Sequence, residues 1–229
     1  MILHVVGEGE TELGHSYSES PPDYNDAMLP CILDKLVQFA CGGSSVEYIL
    51  STAQKLSHIK ASGKIKIEKS TVVVQKPVLK QKLVSAIVTA QAKGCDGLVV
   101  QLDREKKQYP SMYDIASEVE RDHAELFTGG FIVVVINPCR SVETWLLADN
   151  AALEAVFGSG SRYNFGGKAE DRRTPTDLKR ELCDRFSNAG LGKYQAYKSI
   201  VDNWSPTTLA LACPTSFPPS LDSARRLMA

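Results

Sequence analysis

Three short apolar segments rich in β-branched residues stand out along the chain. They are Ile2–Val6, Gly97–Leu102 and Phe131–Ile136. Apolar runs of four to eight residues, bounded by glycine or by polar residues, are typical of strands that are buried on both faces. We therefore predict a strand at each of these positions, with Phe131–Ile136 as the strongest of the three.

The segment 45–75 has a less decisive pattern. Residues 45–54 fit either a strand or a helix, and Lys64–Glu68 alternates between charged and apolar residues as an edge strand does. Thr71–Val74 is one more β-branched run. The pattern leaves the number of strands in this part of the chain open.

Longer stretches with a helical period separate the predicted strands. Residues 8–25 are polar and are predicted to form a loop or a broken helix, because they contain two adjacent prolines. Proline in a first turn, serine caps and terminal glycines mark helix ends. The predicted helices are Asp26–Ala40, Pro77–Lys93, Ser111–Phe127, Ser141–Asp149, Thr174–Asn188 and Tyr194–Trp204, with a last short helix after the proline-rich segment 214–219.

The alternation of strands and helices predicts the fold class. Parallel strands need crossover connections, and a sheet built from them is covered by helices on both faces. We therefore expect an α/β fold with a mostly parallel central sheet in residues 1–150. Residues 151–229 are predicted to form a helical C-terminal extension packed on that domain.

Composition supports a globular, cytoplasmic protein. The 229 residues are 43% hydrophobic and 23% charged, and no segment approaches the roughly 18 apolar residues of a membrane span. The N-terminus turns acidic after six residues, unlike a signal peptide. The six cysteines form no Cys-x-x-Cys pair, which favours reduced thiols over zinc sites or disulfides.

Charge is distributed unevenly, although the net charge is only −1. Residues 161–229 contain 11 lysines and arginines against 7 aspartates and glutamates, whereas residues 1–160 contain 15 against 20. The acidic part could concentrate metal ions and the basic part could face phosphates. Ordinary variation of surface charge explains an imbalance of this size equally well.

Carboxylates follow each of the three strong strands. Glu8 lies just after the first strand and Asp103 follows the second, while Glu143 lies in the first turn of the helix predicted after the third. Ligands of open α/β sheets bind outside the carboxyl ends of the strands, so these acids are expected at one rim. Oxygen ligands of this kind suit Mg²⁺ or Mn²⁺. The sequence therefore predicts a metal site.

Three motifs around these acids resemble those of Toprim proteins, a group that includes topoisomerases, primases and OLD-family nucleases. The sequence Gly-Glu-Gly-x-Thr-Glu, at residues 7–12, resembles the first motif, and the acids Asp103 and Glu105 resemble the second. Residues 142–149, which read Val-Glu-Thr-Trp-Leu-Leu-Ala-Asp, resemble a segment of small stand-alone Toprim-like bacterial proteins of unassigned function. The resemblance covers roughly residues 1–150 and implies a Toprim-like, Rossmann-related fold.

The resemblance also implies roles for individual residues. Glu8 would be a metal ligand or general base, and Glu105 departs from the aspartate that the second motif more often has. The implied catalytic residues are Glu8, Asp103 and Glu105. The implied metal ligands are Glu8, Glu12, Asp103, Glu105, Glu143 and Asp149.

These roles point to Mg²⁺- or Mn²⁺-dependent hydrolysis of nucleic acid, in bacterial anti-phage defence or DNA maintenance. The resemblance also implies a separate ABC-type ATPase as partner, and the alternative is a non-catalytic or conditionally active subunit of such a complex. A degenerate domain without ions is a third hypothesis, and a homo-oligomer is left open. Basic residues that could contact phosphates, or simply be solvated, are Arg172, Arg173, Lys179 and Arg180.

Two nucleotide-binding signals fail on inspection of the sequence. Gly7-x-Gly9 begins like a dinucleotide motif, but Glu12 occupies the third glycine position, where a carboxylate would repel pyrophosphate. The run Gly166-Gly167-Lys168 lacks both the earlier glycine and the following Ser or Thr of a phosphate loop. We therefore expect no ATPase activity in this chain. The buried position of His4 within the first predicted strand favours a structural role.

Overall fold

The structure, a computed structural model, describes residues 1–8, 13, 27–42, 46–59, 71–104, 110–171 and 175–228, with only the backbone described for 71–76. Its centre is a four-stranded sheet. The strands are β1 (Ile2–Gly7), β2 (Ile49–Lys55), β3 (Gly97–Gln101) and β4 (Ile132–Ile136).

All neighbouring strands of the sheet are parallel, and their order is β2-β1-β3-β4. The register pairs Val6 with Val100 and Val100 with Val135, so the C-terminal ends of β1, β3 and β4 reach the same edge. The predicted α/β class is thereby confirmed, and within residues 45–54 the part from Ile49 onward forms a strand. The expected edge strand Lys64–Glu68 lies outside the described residues.

Helices cover both faces of the sheet. The helices that follow β1, β2 and β3 are α1 (Met28–Ala40), α2 (Thr71–Ala92) and α3 (Met112–Asp122). Alternate residues of a strand point to opposite faces. Accordingly Leu3 and Val5 pack with α1, whereas Val6 and Val100 pack with α2 and α3.

The C-terminal part of the chain is helical. It contains α4 (Val142–Ala148), α5 (Asn150–Phe157), α6 (Pro175–Ala189), α7 (Lys193–Asp202), α8 (Pro206–Ala212) and α9 (Phe217–Ala224). Residues from both predicted regions share one hydrophobic cluster that extends from Leu3 and Val5 to Phe217 and Leu227. Trp145, Trp204 and Phe217 meet edge to face within it, with ring centroids 5.4–6.4 Å apart. This burial ties the C-terminal helices to the sheet.

Two helix boundaries differ from the sequence prediction. α2 begins at Thr71 rather than at Pro77, so the run Thr71–Val74 is helical and Pro77 lies inside the helix. The β preference of β-branched residues is weak enough for tertiary context to override it. α3 ends at Asp122, because the next residue, His123, has the non-helical angles φ −136° and ψ 47°. The chain continues through a 3₁₀ segment, Ala124–Gly130, which is interrupted at Thr128 and Gly129. None of the described helices has the length and apolar composition needed to cross a membrane.

Candidate functional site

The strand order places a topological switch point between β1 and β3. From β1 the chain crosses over α1 to β2 on one side, and later strands are added on the other side of β1. α1 and the helices α2 and α3 consequently cover opposite faces. In open α/β sheets this arrangement leaves a crevice where the strand order reverses. Ligands of open α/β sheets bind in this crevice, outside the carboxyl ends of the strands.

Glu8 and Asp103 lie at this switch point. Glu8 directly follows β1 and its side chain is exposed, whereas Asp103 lies two residues after β3, is partly exposed and has a buried Oδ1 atom. Because Val6 pairs with Val100, continuation of the parallel register brings Glu8 beside Leu102, the residue before Asp103. The structure thus places the two acids on neighbouring strand ends.

Pairing between β3 and β4 continues beyond the strands and fixes the backbone around Asp103. The Arg104 N–H donates to Pro138 O at 2.7 Å, and the Arg140 N–H donates to Arg104 O at 2.8 Å. Arg140 has φ of 75°, a left-handed conformation that few residues other than glycine adopt. Strained backbone of this kind often marks a functional loop.

Glu143 is almost entirely buried, with 6% of its surface exposed, in the first turn of α4. A negative charge there is favoured by the dipole at the helix N-terminus. Within the described part of the chain, the structure gives its carboxylate neither a hydrogen bond nor an ion pair. A buried carboxylate without such partners is a chemically suitable ligand for a cation.

Asp149 has a different role from the one that the sequence suggested. Its Oδ1 accepts hydrogen bonds from the N–H groups of Ala151 and Ala152, and its Oδ2 accepts one from Ser205 N at 2.7 Å. The side chain is fully buried. It therefore caps α5 and anchors the N-terminal side of α8, so we remove Asp149 from the candidate ligands.

Several other predicted site residues lie outside the described residues. These are Glu12, Glu105, Arg172 and Arg173. Among the residues that the structure does describe, no three His, Cys, Asp or Glu side chains are grouped closely enough to hold a metal ion. Glu8, Asp103 and Glu143 alone are therefore an incomplete set of ligands.

The two described basic candidates are on the surface of α6. Lys179 is exposed, and the Arg180 guanidinium pairs with Asp177 Oδ1 at 3.0 Å, three residues earlier on the same helix. An exposed pair of this type contributes little to stability. The structure does not bring either residue into a group with Glu8 or Asp103.

Sequence reasoning missed Glu170, a fully buried acid beside the loop after β4. Its carboxylate accepts hydrogen bonds from Thr215 N at 3.0 Å and from the hydroxyls of Thr215 and Ser216, both at 2.5 Å. Trp145 Nε1 donates to the same Ser216 hydroxyl at 2.8 Å. Nothing in the sequence around Glu170 signals this, because its partners lie about 45 residues away.

Sequence reasoning also missed Asn137, which directly follows β4. Its amide group binds Leu102 O and Met112 N, on either side of the segment that begins with Asp103. Its position after a strong strand was a signal that could have been used, because strand ends of α/β sheets carry functional polar residues.

Comparison of the chain with models of known protein families, with curated proteins and with solved structures finds no match. The likeness to Toprim proteins therefore rests on the three sequence motifs.

Proposed function

We propose that this chain binds Mg²⁺ or Mn²⁺ through Glu8 and Asp103 and hydrolyses phosphodiester bonds in nucleic acid. The observation that supports this most directly is the position of the two acids on either side of the switch point between β1 and β3. Glu12 and Glu105, which lie outside the described residues, are the expected further ligands, and Glu143 is a candidate from the third strand end.

The chemistry of these side chains fits a hard divalent cation. Carboxylate oxygens are the ligands that Mg²⁺ and Mn²⁺ prefer, and close carboxylates repel one another unless a cation neutralises them. When bound, such an ion would polarise a phosphate oxygen and activate a water for attack. The exposed Glu8 is accessible to substrate and can accept the proton of that water, while the partly buried Asp103 fixes the site on the sheet.

Nucleic acid is the proposed substrate because of the resemblance to OLD-family nucleases, and bacterial defence or DNA maintenance is the corresponding role. The mechanism requires no side-chain nucleophile. Hydrolysis by an activated water needs only the cation and an acceptor for one proton.

We expect Glu8→Gln and Asp103→Asn each to weaken Mn²⁺ binding by at least about tenfold, since each removes one charged ligand. Isothermal titration calorimetry with Mn²⁺ measures this, and nicking of supercoiled plasmid and cleavage of labelled RNA, with Mg²⁺ or Mn²⁺, measure the activity. Asp184→Asn, which changes an exposed acid on α6, is the matched control and should behave as wild type.

The proposal is wrong if wild type binds no Mn²⁺, or if Glu8→Gln and Asp103→Asn both bind Mn²⁺ as tightly as wild type does. Cleavage that persists in Glu8→Gln and Asp103→Asn would assign the nuclease activity to a contaminant.

A second function, a subunit that is active only with a separate ATPase, is distinguished by the same experiments. Lys168 of the glycine-rich segment follows helix α5 rather than a strand and precedes only a short 3₁₀ turn, Ala169–Asp171, so this segment lacks the strand–loop–helix context of a phosphate loop. Mn²⁺ binding that depends on Glu8 and Asp103, without cleavage by the isolated chain, would favour this second function.

A further inference from the structure

Asn137 lies directly after β4. Its buried side chain binds the two residues, Leu102 and Met112, that flank the segment 103–111, which begins with Asp103. The residue is only 2% exposed. Its Nδ2 donates to Leu102 O, the carbonyl directly before Asp103, and its Oδ1 accepts from Met112 N at 2.8 Å, the first N–H of α3. One amide group therefore holds both the exit from β3 and the entry to α3.

These two contacts act together with the backbone pairing described above. Leu102 N donates to Ile136 O at 3.1 Å, and Arg104 N donates to Pro138 O at 2.7 Å. Asp103 lies between these two anchored N–H groups, and the Asn137 side chain takes up the remaining carbonyl of Leu102. The backbone on the N-terminal and C-terminal sides of Asp103 is thus fixed against the end of β4.

Asn137 is itself held by α3, through Tyr113, and by α9, through Ser220. Its N–H donates to the Tyr113 hydroxyl at 3.2 Å and to Ser220 Oγ at 3.4 Å, and these two hydroxyls are hydrogen bonded to each other. The Tyr113 hydroxyl also donates to Ser216 O at 3.0 Å. Burial raises the pKa of Tyr113, so its phenol is neutral and acts as both donor and acceptor.

We propose that Asn137 is a positioning residue that fixes Asp103 for metal binding, and that α9 supports it through Ser220 and Tyr113. The inference rests on the proposed function of Asp103 as a ligand. It also gives α9 a role in the site, although α9 contributes none of the candidate ligands.

An amide is the side chain that suits this position. Asparagine supplies a donor for the Leu102 carbonyl and an acceptor for the Met112 N–H, whereas aspartate would face a carbonyl with a second acceptor. Groups that orient a metal ligand without touching the ion typically change affinity by 10–100-fold when they are removed. Asn137→Leu has a similar volume and lacks both hydrogen bonds.

We therefore expect Asn137→Leu to raise the Kd for Mn²⁺ by about tenfold or more while the folded protein retains Glu8 and Asp103. The measurement is calorimetric titration with Mn²⁺ of wild type and variant. Val119→Ala is the control for general destabilisation. Val119 is fully buried on α3, the helix that begins with Met112, and lies seven residues beyond it. The control should bind Mn²⁺ with wild-type affinity.

A second measurement does not depend on metal. Native-state hydrogen exchange should show faster exchange of the Met112 and Arg104 amides in Asn137→Leu, by about tenfold, because one loses its acceptor and the other lies in the released segment. The same amides should exchange at wild-type rates in Val119→Ala when measured under conditions of local opening.

Tyr113→Phe supplies a milder variant in case Asn137→Leu does not fold. It removes one acceptor of the Asn137 N–H and leaves the amide group of Asn137 in place. We expect a weaker effect on the Kd for Mn²⁺ in the same direction.

The outcomes separate this inference from the proposed function. Wild-type Mn²⁺ affinity in folded Asn137→Leu overturns the inference and leaves the metal site intact. If wild type binds no Mn²⁺, both the proposed function and the positioning role are overturned. Faster exchange of the Met112 and Arg104 amides in Asn137→Leu would then show that Asn137 has only a structural role. Unchanged exchange rates of these amides in Asn137→Leu would exclude that structural role as well.

Discussion

His4 and Glu170 show how single buried polar residues are accommodated in this fold. His4 is fully buried in β1, and its Nδ1 lies 2.7 Å from Thr52 Oγ1 on β2. Glu170 has its carboxylate surrounded by hydroxyl and N–H donors. Burial without compensation would cost several kcal/mol for either group, so their partners determine whether they are tolerated.

His4 predicts a specific dependence of stability on pH. Burial, and then repulsion by Lys93, lower its pKa from 6.5 to about 4. The unfolded chain therefore binds a proton between pH 6.5 and 4 that the folded chain does not, and the free energy of unfolding falls as the pH falls through this range. At about 1.4 kcal/mol per pKa unit, the loss is about 3 kcal/mol.

Urea unfolding at pH 7 and at pH 4.5 tests this expectation. His4→Gln should lose less stability than wild type between these two pH values, because its side chain does not titrate. His58→Gln, which changes an exposed histidine, should follow wild type. An identical pH dependence in wild type and His4→Gln would contradict the assignment.

At the level of single elements, the hydrophobic pattern located the strands well and the helix boundaries less well. Three apolar runs became β1, β3 and β4 with ends within about one residue of the prediction. The predicted N-terminus of α2 was wrong, because the β preference of a β-branched run is weak enough for tertiary context to override it. The neighbours of a segment are not visible in its own sequence.

Strands β3 and β4 lie so close together at Gly97 that a side chain on this residue would contact Ile132 of β4. A Cβ atom added there would lie 2.6 Å from Ile132 Cγ1 and 2.9 Å from Ile132 O. The carbonyl belongs to the paired strand and cannot rotate away. We expect Gly97→Ala to reduce the free energy of unfolding by about 1–3 kcal/mol, as for other overpacked sites.

Urea unfolding curves at neutral pH measure this difference. Gly192→Ala is the matched control, since a Cβ atom at Gly192 would have no atom within 4 Å. Equal changes of stability in the two variants would show that the approach to Ile132 does not determine the effect.

At the level of the whole molecule, the C-terminal helix protects the open edge of the sheet. β4 is an edge strand. Val135 N donates to Ser223 Oγ at 2.7 Å, and Arg226 Nη1 donates to Val133 O at 3.3 Å. Ser223 and Arg226, three residues apart, thus form hydrogen bonds with backbone groups of β4 that would otherwise be available to a further strand.

Ser223→Ala should therefore destabilise the protein by about 1–3 kcal/mol, because the Val135 N–H loses its acceptor. We also expect association at high concentration, since an uncovered edge can pair with another chain. Chemical unfolding and sedimentation velocity measure the two effects. Ser187→Ala, which removes an exposed hydroxyl from α6, should remain stable and unchanged in association state.

The candidate site was partly predictable from the sequence. Glu8 and Asp103 were identified because parallel strands end at a common rim, a rule that needs only the order of elements. Asn137 and Glu170 were not identified, and Asp149 was assigned wrongly. Asn137 binds Met112, which is 25 residues away, and Glu170 binds Thr215, which is 45 residues away. Asp149 binds Ser205 N, which is 56 residues away, and no local pattern records these contacts.

The sequence by itself determined the α/β class, the three strong strands and the acids that follow them. These features follow from hydrophobic periodicity and chain order, which are local properties. The tertiary structure alone decided that β1 and β3 are neighbours, that Asp149 also accepts a hydrogen bond from Ser205 N, and that Asn137 binds the residues on either side of the segment at Asp103. Those features depend on which distant groups meet when the hydrophobic core closes, and burial then favours arrangements in which polar groups find partners.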